Sequence, residues 1–307
     1  YTYYVERDSI KVLILGSSGL VGSSLNRVLL KSKKVEEVVA ATRKDANLFS
    51  FEETSSLILD LKPNLIINAA AKVGGIHANN SQRTSFITEN LKINLNIIES
   101  LKNNSEIGLI NLGSSCIYPL NAKNPIREEY FMTGPLEPTN SPYALAKISA
   151  IEMGRALHLD YGNHVINLMP TNLYGPNDFF HEEFSHVIPG MMLKMHNSKL
   201  LNKDSYKVWG TGTPLREFLY VDDLAYAIEH LIDINIEEDL INVGSGQEVS
   251  IFELANLIKD VVGFKGEIIF DEKKPDGNPR KLLDSKIINE YGWKTSMNLR
   301  EGLNKTY

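Results

Sequence analysis

The chain of 307 residues is 43% hydrophobic and 23% charged, ordinary globular values for one α/β domain or a dinucleotide domain with a smaller partner. A net charge of −6 without a dense Lys/Arg stripe excludes nucleic acid and anionic membrane as expected partners, and no apolar run nears the roughly 18 residues of a membrane helix. Cys116 is the only cysteine, so an internal disulfide and a multi-cysteine zinc site are excluded, no metal is expected, and a reducing compartment fits. The start, Tyr1-Thr2-Tyr3-Tyr4, carries no basic-then-apolar signal pattern, which points to the cytoplasm.

In chain order, short apolar runs at 10–15, 35–41, 65–69, 108–112 and 165–169 alternate with stretches of helical period at 20–30, 51–61, 86–102 and 142–161. That alternation predicts a Rossmann-type, doubly wound parallel sheet, with ligands at the carboxyl ends of its strands. After Tyr174-Gly175-Pro176 the pattern breaks and resumes over 221–243; a helix at 251–262 and the turn-rich segment Lys274 to Pro279 follow. The expected organisation is a dinucleotide-binding domain at 9–174 with about 219–245, and a smaller, discontinuous substrate-binding lobe at about 175–218 and 246–307.

Between the first run and the first helix stand Gly16, Ser17, Ser18, Gly19, Leu20, Val21 and Gly22. Glycines at these spacings let backbone amides approach a pyrophosphate at a helix N-terminus. The second run ends in Thr42-Arg43-Lys44, with no acidic residue to hold a ribose 2′-hydroxyl, so Arg43 suggests NADP(H).

Of 13 tyrosines, only Tyr143 has a lysine four positions on, Lys147, which puts both side chains on one helix face. A nearby ammonium favours tyrosinate and would lower the phenol's pKa towards working pH; Asn140 or Ser141 is expected to cap this helix, with Pro142 at its first position. Ser114, just after the fourth run, is placed to hydrogen-bond a reacting oxygen. Cys116 lies two residues further and can serve as a base where a neighbouring cation lowers its pKa; His186 titrates in the range of a complementary acid.

These residues, with Ala69 to Ile76, Gly113 to Pro119, Glu137 to Lys147, Met169 to Pro176, Val208 to Pro214, Arg216-Glu217-Phe218 and Lys274 to Asp284, resemble the GDP-L-fucose synthase family of extended short-chain dehydrogenases over nearly the whole chain. The resemblance implies an NADPH-dependent enzyme that converts GDP-4-keto-6-deoxy-D-mannose to GDP-L-fucose by 3,5-epimerisation and 4-reduction, usually as a homodimer. It makes Ser114, Tyr143 and Lys147 the reductive triad, and Cys116 with His186 the epimerising pair. It also implies cofactor contacts at the glycine loop, Arg43, Asn47, Leu48, Leu112, Gly113, Ser114, Ser115, Lys147, Pro170, Thr171, Asn172, Leu173 and His186. Substrate contacts are implied at Asn172, Lys194, Trp209, Arg216, Asp276 and Lys281.

The chain departs from the pattern twice. Ser18 stands where an arginine near the NADP phosphate is frequent, and Asn177 where histidine is frequent, which leaves the sugar open between a 6-deoxyhexose and a 4-keto-heptose. A 4-epimerase or 4,6-dehydratase would share the glycines and the Tyr143/Lys147 pair, but a 4,6-dehydratase carries an acidic pair where Ser115-Cys116 stand, and a 4-epimerase has no need of Cys116 with His186. A silent NADP-binding sensor would not require Ser114, Tyr143, Lys147, Cys116 and His186 together.

Overall fold

The computed structural model describes residues 10–274 and 276–307; the opening tyrosines, residue 9 and Pro275 lie outside the described residues. The chain begins β1 (Ile10–Leu15), α1 (Leu20–Leu29), β2 (Val35–Ala41), α2 (Phe51–Leu61), β3 (Leu65–Asn68), α3 (Ile76–Ser81), α4 (Arg83–Leu101), β4 (Gly108–Leu112) and α5 (Ser141–Tyr161). It continues β5 (Val165–Pro170), β6 (Asn172–Tyr174), α6 (Val187–Leu200), β7 (Ser205–Trp209), β8 (Leu215–Tyr220), α7 (Val221–Leu231) and β9 (Leu240–Val243). It closes with β10 (Glu248–Ser250), α8 (Ile251–Val262), β11 (Glu267–Asp271), β12 (Arg280–Lys281), α9 (Lys286–Glu290) and α10 (Leu299–Thr306).

The main sheet has six strands, all parallel, in the order β2-β1-β3-β4-β5-β9. Its central strands are apolar on both faces because helices cover both. Val12 and Ile14 of β1 pack with Leu25, Val28, Leu224 and Ile228 of α1 and α7. Leu13 and Leu15, pointing the other way, pack with Ile58, Ile93 and Ile97 of α2 and α4. The chain leaves β1 for β2 on one side and returns to β3 on the other, so a crevice opens at the carboxyl ends of β1 and β3.

A second core joins Ile188, Met191, Met192 and Met195 of α6 to Val208 of β7, Phe218 of β8 and Leu254 and Ile258 of α8. There β8 is the hub, parallel to β6 and β12 and antiparallel to β10, while β7 pairs with β11. Because β6 follows β5 directly, Asn172 is drawn out beside Phe218, joining the main sheet to this core. Ser250 and Glu253 form a capping box that starts α8, and Gly263 ends it at φ 72°.

The helix expected at 86–102 starts three residues earlier, at Arg83, and α3 and α6 emerge from stretches with no clear helical period. The cap of α5 also differs from expectation. Asn140 holds the N-cap position without a side-chain cap bond, and Pro142 is the second helical residue rather than the first. Glu137 secures the turn ahead of the helix, accepting from the backbone N–H of Thr139 and Asn140, at 3.1 Å each.

Candidate active site

A cleft of about 1000 Å³ runs along the carboxyl ends of the sheet. Its first wall is the loop between β1 and α1. Gly16 has φ +79°, and a Cβ there would meet the Ala70 backbone at 2.7 Å; a Cβ on Gly22 would meet the Gly16 carbonyl oxygen at 2.2 Å. Gly19 caps α1 with no side-chain bond, and no acidic residue sits in the first turn, so the leading N–H groups face the cleft as an anion cradle. Gly16, Ser18, Gly19, Leu20 and Val21 line the cleft, whereas Ser17 is buried and Ser17 and Gly22 stand behind it. This geometry fits a dinucleotide pyrophosphate.

At the end of β2, Thr42, Arg43, Asn47 and Leu48 line the same cleft. The exposed acid Asp45 bonds within its own loop: its carboxylate accepts from the N–H of Thr42 at 2.7 Å and from its hydroxyl at 2.8 Å, and these bonds hold its pKa below the usual range. Among the described residues, no carboxylate forms an ion pair with exposed Arg43 that would compete with a 2′-phosphate. Ser18, also exposed, adds no charge.

The cleft floor brings together Ser114, Tyr143, Lys147 and His186, with Leu112, Gly113, Ser115 and Pro170 to Leu173 beside them. Lys147 is buried; its Nζ donates to the Leu112 carbonyl at 2.7 Å and lies 5.7 Å from the Tyr143 ring centroid. Burial pulls its pKa down to about 8. The expected lowering of the Tyr143 pKa is not found. Burial raises it, and negative charge on Cys116 adds to the rise. Phe86 meets the Tyr143 ring edge-on at 6.1 Å.

Cys116 lies beneath the floor, 7% exposed, and its N–H donates to the Ser114 hydroxyl oxygen at 3.4 Å. The cations expected beside it are present: Lys281 and Lys147 both favour the thiolate. Burial nevertheless wins and raises the thiol's pKa. His186 precedes α6 and is exposed to the cleft, and the protein packed around it lowers its pKa. In both groups burial favours the neutral form.

Of the implied substrate residues, only Asn172 belongs to the lining of the main cleft. Asn172 is tied down, its side-chain amide donating to the Glu217 carbonyl at 2.9 Å. Lys281 faces Cys116, Arg216 and Glu137, which raise or lower its pKa around a dominant downward pull from burial. Arg216 lies beside Asp276, whose carboxylate accepts from the N–H of Thr211 at 2.9 Å and from its hydroxyl at 2.7 Å. Trp209 is 71% exposed, with the Lys274 ammonium 5.2 Å from its ring, so it is a contact surface and not core packing. Lys194 is half-buried on α6, two turns beyond His186.

Three carboxylates carry parts the sequence did not signal. Glu217 is fully buried and accepts from Gly246 N–H at 2.8 Å and Leu283 N–H at 3.0 Å, fixing the strand that bears Lys281. Glu137 shapes the start of α5 and faces Lys281. Asp178 lines the cleft with one buried carboxylate oxygen lacking a hydrogen-bond partner, and burial raises its pKa to about 6. Glu217 and Glu137 lay in segments already marked, Arg216-Glu217-Phe218 and Glu137 to Lys147, whereas Asp178 lay outside them.

A family model described as the NAD dependent epimerase/dehydratase family matches residues 12–244. GDP-L-fucose synthase 1 of Arabidopsis thaliana is 47% identical over 299 residues, which cover 97% of this chain and 92% of that protein. A GDP-6-OMe-4-keto-L-xylo-heptose reductase from C. jejuni has a TM-score of 0.89 at 31% identity, covering 98% of this chain and 97% of its own. A GDP-L-fucose synthetase from Naegleria fowleri bound to NADP has a TM-score of 0.88 at 27% identity, covering 98% and 94%. The chain belongs to the NAD dependent epimerase/dehydratase family and, within it, to the GDP-L-fucose synthase group.

Proposed function

We propose that this NADP-dependent oxidoreductase converts GDP-4-keto-6-deoxy-D-mannose to GDP-L-fucose, inverting C3 and C5 before reducing C4. The observation that carries the proposal is one floor holding Ser114, Tyr143, Lys147 and His186, with Cys116 directly beneath. A 4-keto group acidifies the hydrogens on its neighbouring carbons, so a base on one ring face and an acid on the other invert each centre through an enol. Cys116, in its thiolate form, removes those protons, and His186 returns them from the opposite face. Ser114 holds the 4-oxygen throughout. NADPH, when bound, supplies hydride to C4. Tyr143 then protonates the oxygen, while Lys147 orients the nicotinamide ribose and steadies the phenol.

The glycine loop would hold the pyrophosphate, Arg43 the 2′-phosphate, and Asn47, Leu48, Leu112, Gly113, Ser115, Pro170, Thr171 and Leu173 the remaining cofactor wall. The GDP-sugar would lie against Asn172, Lys194, Trp209, Arg216, Asp276 and Lys281. Paired cations suit a diphosphate, and an exposed indole suits a flat base. These assignments divide the chain as the sequence suggests: a cofactor domain at 9–174 with about 219–245, and a substrate lobe from the rest.

A cytoplasmic homodimer completes the proposal. No helix among the described residues is long and apolar enough to cross a membrane. Leu95 and Leu145, on the packed helices α4 and α5, are each 46% exposed, an apolar face suited to a second copy.

The test is to supply GDP-4-keto-6-deoxymannose and NADPH in heavy water, follow NADPH loss, and assign the product by NMR. GDP-fucose with deuterium at C3 and C5 is expected. Unepimerised GDP-rhamnose would reduce the protein to a plain 4-reductase. No turnover in a sample that binds NADPH would redirect the assignment to a 4-keto-heptose substrate or a silent sensor.

A further inference from the structure

The segment Lys72-Val73-Gly74-Gly75-Ile76 has so far been given no task, although part of it borders the cleft. Its fastenings on one side are all to α3 and α4. The side chain of fully buried Asn90 accepts from Lys72 N–H and donates to Lys72 carbonyl, both at 3.0 Å. Lys72 Nζ pairs with Glu89 at 3.0 Å, and Asn79 donates to the Gly74 and Gly75 carbonyls at 2.7 and 3.1 Å. The same helix α4 carries Phe86 against Tyr143.

On its other side the segment grips the two residues before His186. Gly75 N–H donates to the Phe184 carbonyl at 2.9 Å, and the His77 ring stacks on Phe184 with centroids 5.4 Å apart. A Cβ on Gly75 would lie 2.4 Å from the Ser185 carbonyl oxygen, closer than any neighbour can tolerate without moving backbone. His186 thus has its backbone set from behind by α6 and from ahead by Phe184 and Ser185.

We propose that this segment, centred on Gly75, is a positioning element that fixes His186 relative to Tyr143 and so aligns the epimerising acid with the ring. The inference rests on the role of His186 proposed above. Reduction draws on Tyr143 and Lys147, which the grip on Phe184 and Ser185 does not touch. Proton return to carbon tolerates little misplacement, and a shift of about 1 Å costs on the order of 10²-fold in rate.

The experiment compares wild type, Gly75→Ala, Phe184→Leu and His186→Asn for deuterium entry at C3 and C5, product identity, and NADPH affinity. Gly75→Ala is expected to slow deuterium entry by ~30–100-fold, to divert product towards the unepimerised alcohol, and to keep NADPH affinity within about twofold. Phe184→Leu, which loosens the stack without moving backbone, should fall between it and wild type. Deuterium entry at the wild-type rate in Gly75→Ala overturns the inference. So does a parallel loss of NADPH binding and deuterium entry in Gly75→Ala while Phe184→Leu behaves as wild type, because that marks local unfolding. A wild-type rate in His186→Asn instead removes the assignment of His186, and the inference with it.

Discussion

The two proton-handling pairs of this cleft are built in opposite ways. Tyr143 and Lys147 stand one turn apart on α5, and the helical repeat alone places them together. Cys116 follows β4 and His186 precedes α6, so only the completed fold brings Cys116 beneath the cleft that His186 lines. Burial acts alike on both pairs, pushing Tyr143 and Cys116 up and Lys147 and His186 down. What differs is the support. Lys147 is anchored by one short bond to a strand carbonyl, whereas Cys116 depends on Lys281 from β12 and His186 on the loop gripped by Gly75. On the proposed roles, the helical repeat sets the Tyr143/Lys147 pair, and tertiary structure sets the epimerising pair.

The sharpest way to break this comparison is Tyr143→Phe. The ring still packs on Phe86, but the proton donor is gone, so NADPH oxidation should fall by about 10³-fold. Deuterium entry at C3 and C5 should stay within about threefold of wild type. Equal losses in both would show that the pairs are one machine. Cys116→Ser probes the converse. It keeps the shape beneath the floor and removes the softer, more acidic nucleophile, and deuterium entry should fall by about 10²-fold. NADPH should still be oxidised, slowly, with unepimerised alcohol as the product.

That contrast also explains what the sequence could disclose. Short apolar runs located β1 to β5, and β1 and β3 to β5 stand out because a strand buried on both faces needs no partner to be recognised, whereas the edge strand β2 carries exposed Glu36 and Glu37. The glycine loop and the Tyr143/Lys147 spacing were legible for the same reason: each is a local rule. The stretch after Gly175 was not. Helix α6 has apolar residues on most sides, since it lies inside the second core, and so shows no amphipathic period. Strands β6, β10 and β12 are only two or three residues long and exist because β8 pairs with them. The directions of the pKa shifts were legible only in part. A cation near Cys116 could be anticipated, but the depth of burial that outweighs it is a sum over neighbours from several distant segments.

The smallest expected effect tests that balance directly. The buried thiol sits above its ordinary pKa, so the thiolate fraction, and with it removal of the C3 and C5 hydrogens, should climb with pH through the alkaline range, read as solvent exchange apart from the return step that needs protonated His186. Lys281 pulls the thiol's pKa down, and Lys281→Met removes that pull while keeping much of the side chain's volume. Without it the neutral thiol is favoured further, and the whole profile moves to higher pH. At a fixed pH of about 7.5 the rate should drop ~3–10-fold and recover as pH is raised. Loss of substrate affinity alone, from the diphosphate contact assigned to Lys281, would raise KM without moving the profile. The pH dependence of kcat therefore separates the two roles of this lysine. A profile that stays in place would mean that burial alone governs Cys116 and that its cations serve only the substrate.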